Sequence, residues 1–280
     1  NSTYSDKFGK RFPDRFLENF IAEQNMLGAA AGIAACGKIP FVATFAAFFT
    51  RAYDFIRMAA ISQSNIKLVG THVGVSIGED GPSQMGLEDL AMMSTQPGVT
   101  VLYPSDGLSM YKLMESATTH KGMVYLRAGR PKTPVIYGAD ETFKIGGSKV
   151  LRQSAADQLT IVAAGVTLFE ALKAHDQLKA AGIVTRVVDL YSIVPVDQAT
   201  LIDCARATGG RFLTVEDHYA HGGIGDAVLS ALASEGVTVR KLAVRDIPRS
   251  GKPDELVDHF GIGVRSIVEA AKDIAKAAHR

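Results

Sequence analysis

The 280-residue sequence has no tryptophan and only two cysteines, Cys36 and Cys204. Two thiols so far apart exclude a disulfide framework and a CxxC metal site, and they suit a reducing compartment such as the cytoplasm. Neither sign of charge is in excess: 30 basic residues against 29 acidic ones leave a formal net charge of +1. That removes the electrostatic reason to expect nucleic acid or an anionic membrane as partner. A long apolar run is missing too. The most hydrophobic stretch, Leu27 to Phe49, is rich in alanine and glycine and carries Lys38 and Pro40, so it is a poor transmembrane segment. No signal peptide opens the chain and no methionine stands at Asn1, from which a cut chain is expected. What is present is 47% hydrophobic and 21% charged, an ordinary globular composition that can bury sizeable cores. At roughly 150 residues per domain the length allows about two domains.

Apolar periodicity supplies the element order. Gln24 to Gly37 reads as a tightly packed helix of small residues that stops at a glycine, and Phe41 to Phe45 as a short strand. Phe48, Phe49, Ala52, Phe55, Ile56, Ala59 and Ala60 recur at helical spacing, which predicts one continuous helical face. Ile66–Thr71, Val99–Tyr103 and Met123–Arg127 read as strands, with helices over Leu87–Ser94 and after Ser105-Asp106. Arg130 to Gly147 carries turn formers and little periodicity, the pattern of a linker. Beyond it, strands are expected at Leu159–Ala163, Thr185–Leu190, Arg211–Val215 and Val237–Leu242. Helices are expected at Thr167–Ala181, Asp197–Ala205, Ile224–Ser234 and Ser266–Ala278. The alternation predicts an α/β fold: two three-layer domains with mainly parallel sheets, over 1–133 and 148–280, joined by a linker at 134–147.

In parallel sheets, ligands collect beyond the carboxyl ends of strands. Thr71 and the loop HVGVSIGEDGPSQMG hold that position, setting His72, Glu79, Asp80 and Gln84 among glycines that let the backbone turn tightly. The loop fits neither GxxxxGK[ST] nor a strand-linked GxGxxG, so it is no phosphate cradle by motif, and flexible surface turns are its plain alternative. Glu23 stands beside an apolar helix, where a buried carboxyl suits proton transfer and an exposed one merely complements the helix dipole. Phe45 and Phe48 form either an aromatic platform for a flat heterocycle or ordinary core. Arg127 and Arg130 could clamp a phosphate, or could simply end a strand in solvent.

Taken together the wording is more specific. IAEQNM, TFAAFFTRAYDFIRMAAISQSNI, GTHVGVSIGEDGPSQMGLEDLAMM, YPSDG, ARATGGRFLTVEDHY, GGIGDAV and IPRSGKP span the chain, and together they closely resemble the C-terminal part of transketolases, particularly the animal-type group. The resemblance implies transfer of a two-carbon ketol unit between sugar phosphates in the pentose phosphate pathway, with thiamine diphosphate and a divalent metal, Mg or Ca. By that resemblance Glu23 is the catalytic carboxyl that hydrogen-bonds the cofactor's aminopyrimidine and controls its proton. Phe48, its neighbour Phe45, and Gln84 contact the cofactor. Many microbial members carry histidine where Gln84 stands. His72 and Asp80 read sugar hydroxyls, Ser2 and Arg130 grip the distal phosphate, and Glu79 is a weaker candidate. His218, His221 and the cysteines receive no role, and the second half serves packing and dimer support.

No GDG motif with a downstream asparagine occurs, so the diphosphate and metal are expected on an absent N-terminal domain, and no metal ligand is assigned in this chain. The expected state is a fragment of a longer enzyme, inactive alone, that joins that domain or subunit in a homodimer with the site at the interface. Two other readings stand beside it. One is a non-catalytic fragment or regulatory paralogue. The other is a related thiamine enzyme, such as a deoxyxylulose-phosphate synthase or a 2-oxoacid dehydrogenase β subunit.

Overall fold

Strands that are apolar at nearly every position need cover on both faces, and that requirement shapes both halves of the chain. The computed structural model describes residues 2–277. Helices α1 (Ser5–Arg11) and α2 (Glu23–Ala35) precede β1 (Phe41–Phe45), and α3 (Tyr53–Ile61) leads to β2 (Lys67–Thr71). After the glycine-rich loop come α4 (Asp89–Ser94), β3 (Thr100–Leu102), α5 (Gly107–Thr119) and β4 (Val124–Arg127). The second half comprises β5 (Lys149–Arg152), β6 (Leu159–Ala163), α6 (Val166–Ala180), β7 (Thr185–Asp189), β8 (Ser192–Val194) and α7 (Gln198–Ala207). It continues with β9 (Arg211–Tyr219), α8 (Ile224–Ala231), β10 (Thr238–Val244), α9 (Pro253–His259) and α10 (Val264–Ala277).

The strands form two five-stranded sheets, β1-β2-β4-β3-β8 and β10-β9-β6-β7-β5. Pairings are parallel except β3 with β8 and β5 with β7. Helices α2, α3 and α4 share a buried cluster that includes Leu27, Ile56, Leu90 and Tyr125, and α5 packs Leu113 and Ala117 with Leu102 and Leu126. Around the second sheet, α7 and α8 pack with Val162 and Val188, while α6, α9 and α10 pack with Leu159 and Ile161. The architecture is therefore α/β, two three-layer units with mainly parallel sheets. Among the described residues no helix is long and apolar enough to cross a membrane.

Local chemistry explains the boundaries. Asp106 caps α5 through a reciprocal box: Ser109 N donates to Asp106 Oδ1 at 2.7 Å and Asp106 N donates to Ser109 Oγ at 3.0 Å. The helix expected from Phe48 onward divides into a 3₁₀ run, Ala46–Ala52, followed by α3. Its buried residues are Ala46, Phe49 and Ala52, spaced by three, and only from Ile56, Ala59 and Ala60 does the α period take over. The segment between β4 and β5 has no helix or strand, yet it is not a loose tether. Tyr137 and Phe143 are buried against Tyr191 and Leu102, and Tyr137 Oη donates to Asp189 Oδ2 at 2.5 Å.

Helices α1 and α9 and strand β5 were not expected from the pattern, nor were two features where the halves join. Strand β9 runs on to Tyr219, so Glu216, Asp217 and His218 lie inside a buried strand. Strand β8 leaves the second half and completes the first sheet beside β3, with Val101 opposite Val194. Where the halves meet, Arg127 is 0% exposed. Its Nε donates to Asp89 Oδ2 at 2.8 Å and its Nη2 to Asp89 Oδ1 at 3.0 Å, while Tyr125 Oη donates to the same carboxylate at 2.6 Å. Nη2 also reaches Gly86 O at 3.1 Å and Asp217 O at 3.0 Å, and the guanidinium lies 4.5 Å from the Tyr103 ring centre. Burial alone would raise the Asp89 carboxyl, but the adjacent Arg127 charge prevails and holds it below the usual carboxylate range.

Removing one member of such a buried pair leaves the other charge uncompensated. Asp89→Ala should therefore lower stability by about 3–5 kcal/mol, read by urea unfolding. A loss below about 1 kcal/mol would contradict the role given to the pair. His218, in the same layer, is pushed by burial down to about 4, against the pull of Asp89. Its folded value lies below the unfolded 6.5, so the unfolded chain takes up the proton first and stability falls as pH drops through that window. Between pH 6.5 and 4.5 the wild type should lose about 2 kcal/mol more than His218→Phe. Equal acid sensitivity of the two proteins would refute this.

Candidate functional site

Glu23 is the first residue of α2, a helix whose N-cap is Ala22 and therefore supplies no capping side chain. The carboxyl is drawn toward the partial positive charge of the helix start and is only 7% exposed. Oε2 is buried without a hydrogen-bond partner. The nearest cation, Arg51 Nη1, stands 3.9 Å away, too far for a hydrogen bond. A buried, unpaired carboxyl oxygen is costly unless a ligand group meets it. The residues just before it are exposed and apolar, Phe20 at 88% and Ile21 at 81%.

The 3₁₀ run that carries Arg51 also carries Phe48. Phe45 stacks on Phe48 with centroids 5.2 Å apart and planes 7° from parallel, and also stacks on His72 at 3.6 Å and 12°. Phe45 ends β1 and pairs with Thr71 at the end of β2, so the sheet register itself brings these aromatic groups to one carboxyl edge. Thr71 Oγ1 donates to Thr44 O at 3.4 Å and lies 3.0 Å from His72 Nδ1. That hydroxyl has one proton, so Nδ1–H is the donor to it and Nε2 keeps an accepting lone pair. Burial, then the charge of Arg130, lowers the His72 imidazole below its ordinary value, with Asp80 pulling the other way. The shift favours the neutral ring, which can accept a hydrogen bond from a hydroxyl.

The glycine-rich loop closes on itself: Gly74 N donates to Gly86 O at 2.8 Å and Gly86 N donates to His72 O at 3.2 Å. Gly74 has a left-handed φ of 78°, and an added Cβ would fall 2.0 Å from Asp217 Oδ2. Asp80 and Arg130 meet at 3.1 Å, and Arg130 Nη1 also donates to Ile77 O at 3.1 Å. Gln84 is half-buried and accepts from Ser83 Oγ at 2.6 Å. Glu79 is exposed.

Phe45, Phe48 and His72 therefore form one stack, Asp80 and Arg130 form one ion pair that acts on His72, and Glu23 joins the assembly through the turn bearing Arg51 and Phe48. Ser2 is exposed before α1 and, among the described residues, makes no hydrogen bond with the other candidates. Arg127, offered above as a phosphate clamp, is instead buried against Asp89. A groove of about 610 Å³ between α2 and α3, lined by Leu27, Phe55 and Met58, contains none of the candidates. Among the described residues no cluster of three or more His, Cys, Asp or Glu side chains could hold a metal ion. The donor set fits the pyrimidine end of a thiamine cofactor: one unpaired buried carboxyl oxygen for a ring nitrogen, against the 3₁₀ run that also carries an aromatic face at Phe48.

The family model for the transketolase pyrimidine binding domain matches residues 1–135, and that for the transketolase C-terminal domain matches residues 148–267. The chain is 57% identical over 275 residues to transketolase-like protein 2 of Mus musculus, covering 98% of this chain and 44% of that protein. It is 55% identical over 276 residues to transketolase of Rattus norvegicus, again covering 98% of this chain and 44% of the other. The chain thus spans less than half the length of these relatives. Among solved structures, a split-gene transketolase described as an inactive β4 tetramer superposes with a TM-score of 0.88 at 36% identity, over 99% of this chain and 90% of its own. Matched over most of its length by both domain models, and sharing the fold of that solved chain, the protein belongs to the transketolase family.

Proposed function

We propose that this chain forms the pyrimidine-binding and C-terminal part of a transketolase that moves a two-carbon ketol unit from a ketose phosphate to an aldose phosphate in the pentose phosphate pathway. The observation that carries the reading is Glu23 Oε2, buried without a partner against the 3₁₀ run that bears both Arg51 and Phe48. When bound, thiamine diphosphate would supply the electron sink needed to cleave a carbon–carbon bond of the ketose. Glu23 would hold the proton shared with the aminopyrimidine, and Phe48 and Phe45 would pack on the ring side of the site and exclude water. Gln84 would add a polar contact to it.

His72, its neutral ring favoured and Nε2 free to accept, would take a hydrogen bond from a sugar hydroxyl near the reacting carbons. Asp80 would accept a second, while Arg130 and Ser2 would grip the distal phosphate, a fork-shaped guanidinium suiting its oxygens. Sites built around hydroxyl partners reject analogues that leave those partners unpaired. The diphosphate and a Mg or Ca ion belong on a separate N-terminal domain or subunit, joined in a homodimer that covers Glu23. The exposed Phe20 and Ile21 beside Glu23 support such a cover. The split-gene relative, inactive as a β4 tetramer, supports inactivity of this chain alone. Free thiols at Cys36 and Cys204 suit a cytoplasmic setting.

A second reading, a non-catalytic fragment or regulatory paralogue, is favoured by the inactive state named for the split-gene relative. Glu23→Ala in the complete enzyme should cut ketol transfer by about 10²–10⁴-fold with little change in melting temperature. Near-normal turnover would overturn the proton role. The complete wild type should couple a ketose phosphate donor to an aldose acceptor without releasing carbon dioxide. No transfer by the fully assembled protein would favour the regulatory reading. Turnover that demands a 2-oxo acid would point to a synthase or dehydrogenase instead.

A further inference from the structure

The loop that carries His72 and Asp80 leaves the first sheet, yet its apolar side chains are buried elsewhere. Val75, Ile77, Met85 and Leu87 belong to the core of the second sheet, together with Leu213 and Val215 of β9. One side chain from β9 reaches further, into the loop's backbone. Asp217 Oδ1 accepts from Val75 N at 2.7 Å and Oδ2 accepts from Ser76 N at 3.1 Å, across 142 and 141 residues of sequence. Asp217 is itself 0% exposed. The space it fills exists because residue 74 is a glycine.

We propose that Asp217 is a positioning residue for substrate recognition: its carboxylate clamps the first two amides of the loop's 3₁₀ run and so sets where His72 and Asp80 stand. The proposal rests on the sugar-reading role given above to those two residues. His72 lies three positions before the first clamped amide and has a left-handed φ of 57°, a conformation that a bulky residue keeps only when its surroundings enforce it. Asp80 stands four residues after Ser76, beyond a kink at Gly78, and is tied back to the clamped turn by Arg130, which pairs with it and donates to Ile77 O. A carboxylate is the side chain that can receive two backbone N–H groups at once with no proton of its own to place. Arg127 holds the other end of the loop, donating to Gly86 O, and its link to Asp217 O ties both grips to one point.

The test uses the complete enzyme. Asp217→Asn keeps the volume but turns an NH₂ group toward one of the two donors, so the loop must shift. The KM for the ketose and aldose phosphates should rise about tenfold to a hundredfold, while kcat per folded enzyme falls less. Gly74→Ala disturbs the same contact from the opposite side and should give the same KM shift. A purely structural role would lower melting temperature and the folded fraction and leave KM alone. Hydrogen exchange supplies a reading independent of turnover. The Val75 and Ser76 amides should be protected in the wild type and exchange at least about tenfold faster in the variants. Unchanged KM in both variants would overturn the proposal. So would wild-type Val75 and Ser76 amides that exchange as fast as those of exposed Glu79 and Asp80, a result obtainable even if Asp217→Asn fails to fold. Amides protected in the wild type and unprotected in the variants, in an enzyme whose wild type transfers no ketol unit, would leave the clamp standing and refute the transketolase reading alone.

Discussion

An arginine cannot lose its proton inside a protein, so a fully buried one obliges its surroundings to supply acceptors. Arg127 makes that demand at the junction of the two sheets. Asp89 answers with both carboxylate oxygens, and the carbonyls of Gly86 and Asp217 accept as well. These acceptors come from α4, from the closing end of the glycine-rich loop and from β9, so one guanidinium sets the mutual positions of three segments. Tyr125 and Tyr103 complete its surroundings, and burial pushes the Tyr103 hydroxyl up to about 12, so it stays protonated and neutral. The halves consequently share structure: β8 adds a strand to the first sheet and Val75, Ile77, Met85 and Leu87 add side chains to the second core.

This sharing explains how a site so short of internal bonds keeps its shape. The stack of Phe48, Phe45 and His72 needs only the parallel register of β1 and β2, which sets Phe45 opposite Thr71. Asp80 and the loop around it have no such ladder and depend on the second half. Glu23 is different again, because its burial comes from the first turn of α2 and the neighbouring 3₁₀ run, while its second oxygen stays unmatched. A carboxyl left in that condition costs folding free energy that no contact within the described residues offsets.

Much of this was legible in the amino-acid pattern. Continuous apolar runs located β1, β2, β4 and β6 to within a residue or two, and the glycine spacing marked the loop on which His72 and Asp80 stand. Strands β5 and β8 escaped because each is short, at a sheet edge, and recognisable only from its partner. The 3₁₀ run at 46–52 was hidden because buried residues three apart and four apart look alike over two turns. Asp217 and Arg127 were missed for a different reason: their meaning lies in each other's company across the chain. A trace did exist. In LTVEDHY two acids follow a buried strand pattern without a turn residue, and a carboxylate inside a parallel sheet must have donors somewhere.

The antiparallel excursion of β8 has a consequence for how such chains can be cut and rejoined. The two domain models end and begin on either side of 136–147, which looks like a seam where one domain could be exchanged for another. The polypeptide does not part there. A transplanted C-terminal region would bring its own edge strand for the first sheet, its own β9 acid for the loop and its own packing against Val75 and Ile77. Recombination at this seam therefore exchanges part of the frame of the glycine-rich loop along with the domain, and a chimera inherits a compatible loop only when both parents agree on β8, Asp217 and Gly74 together.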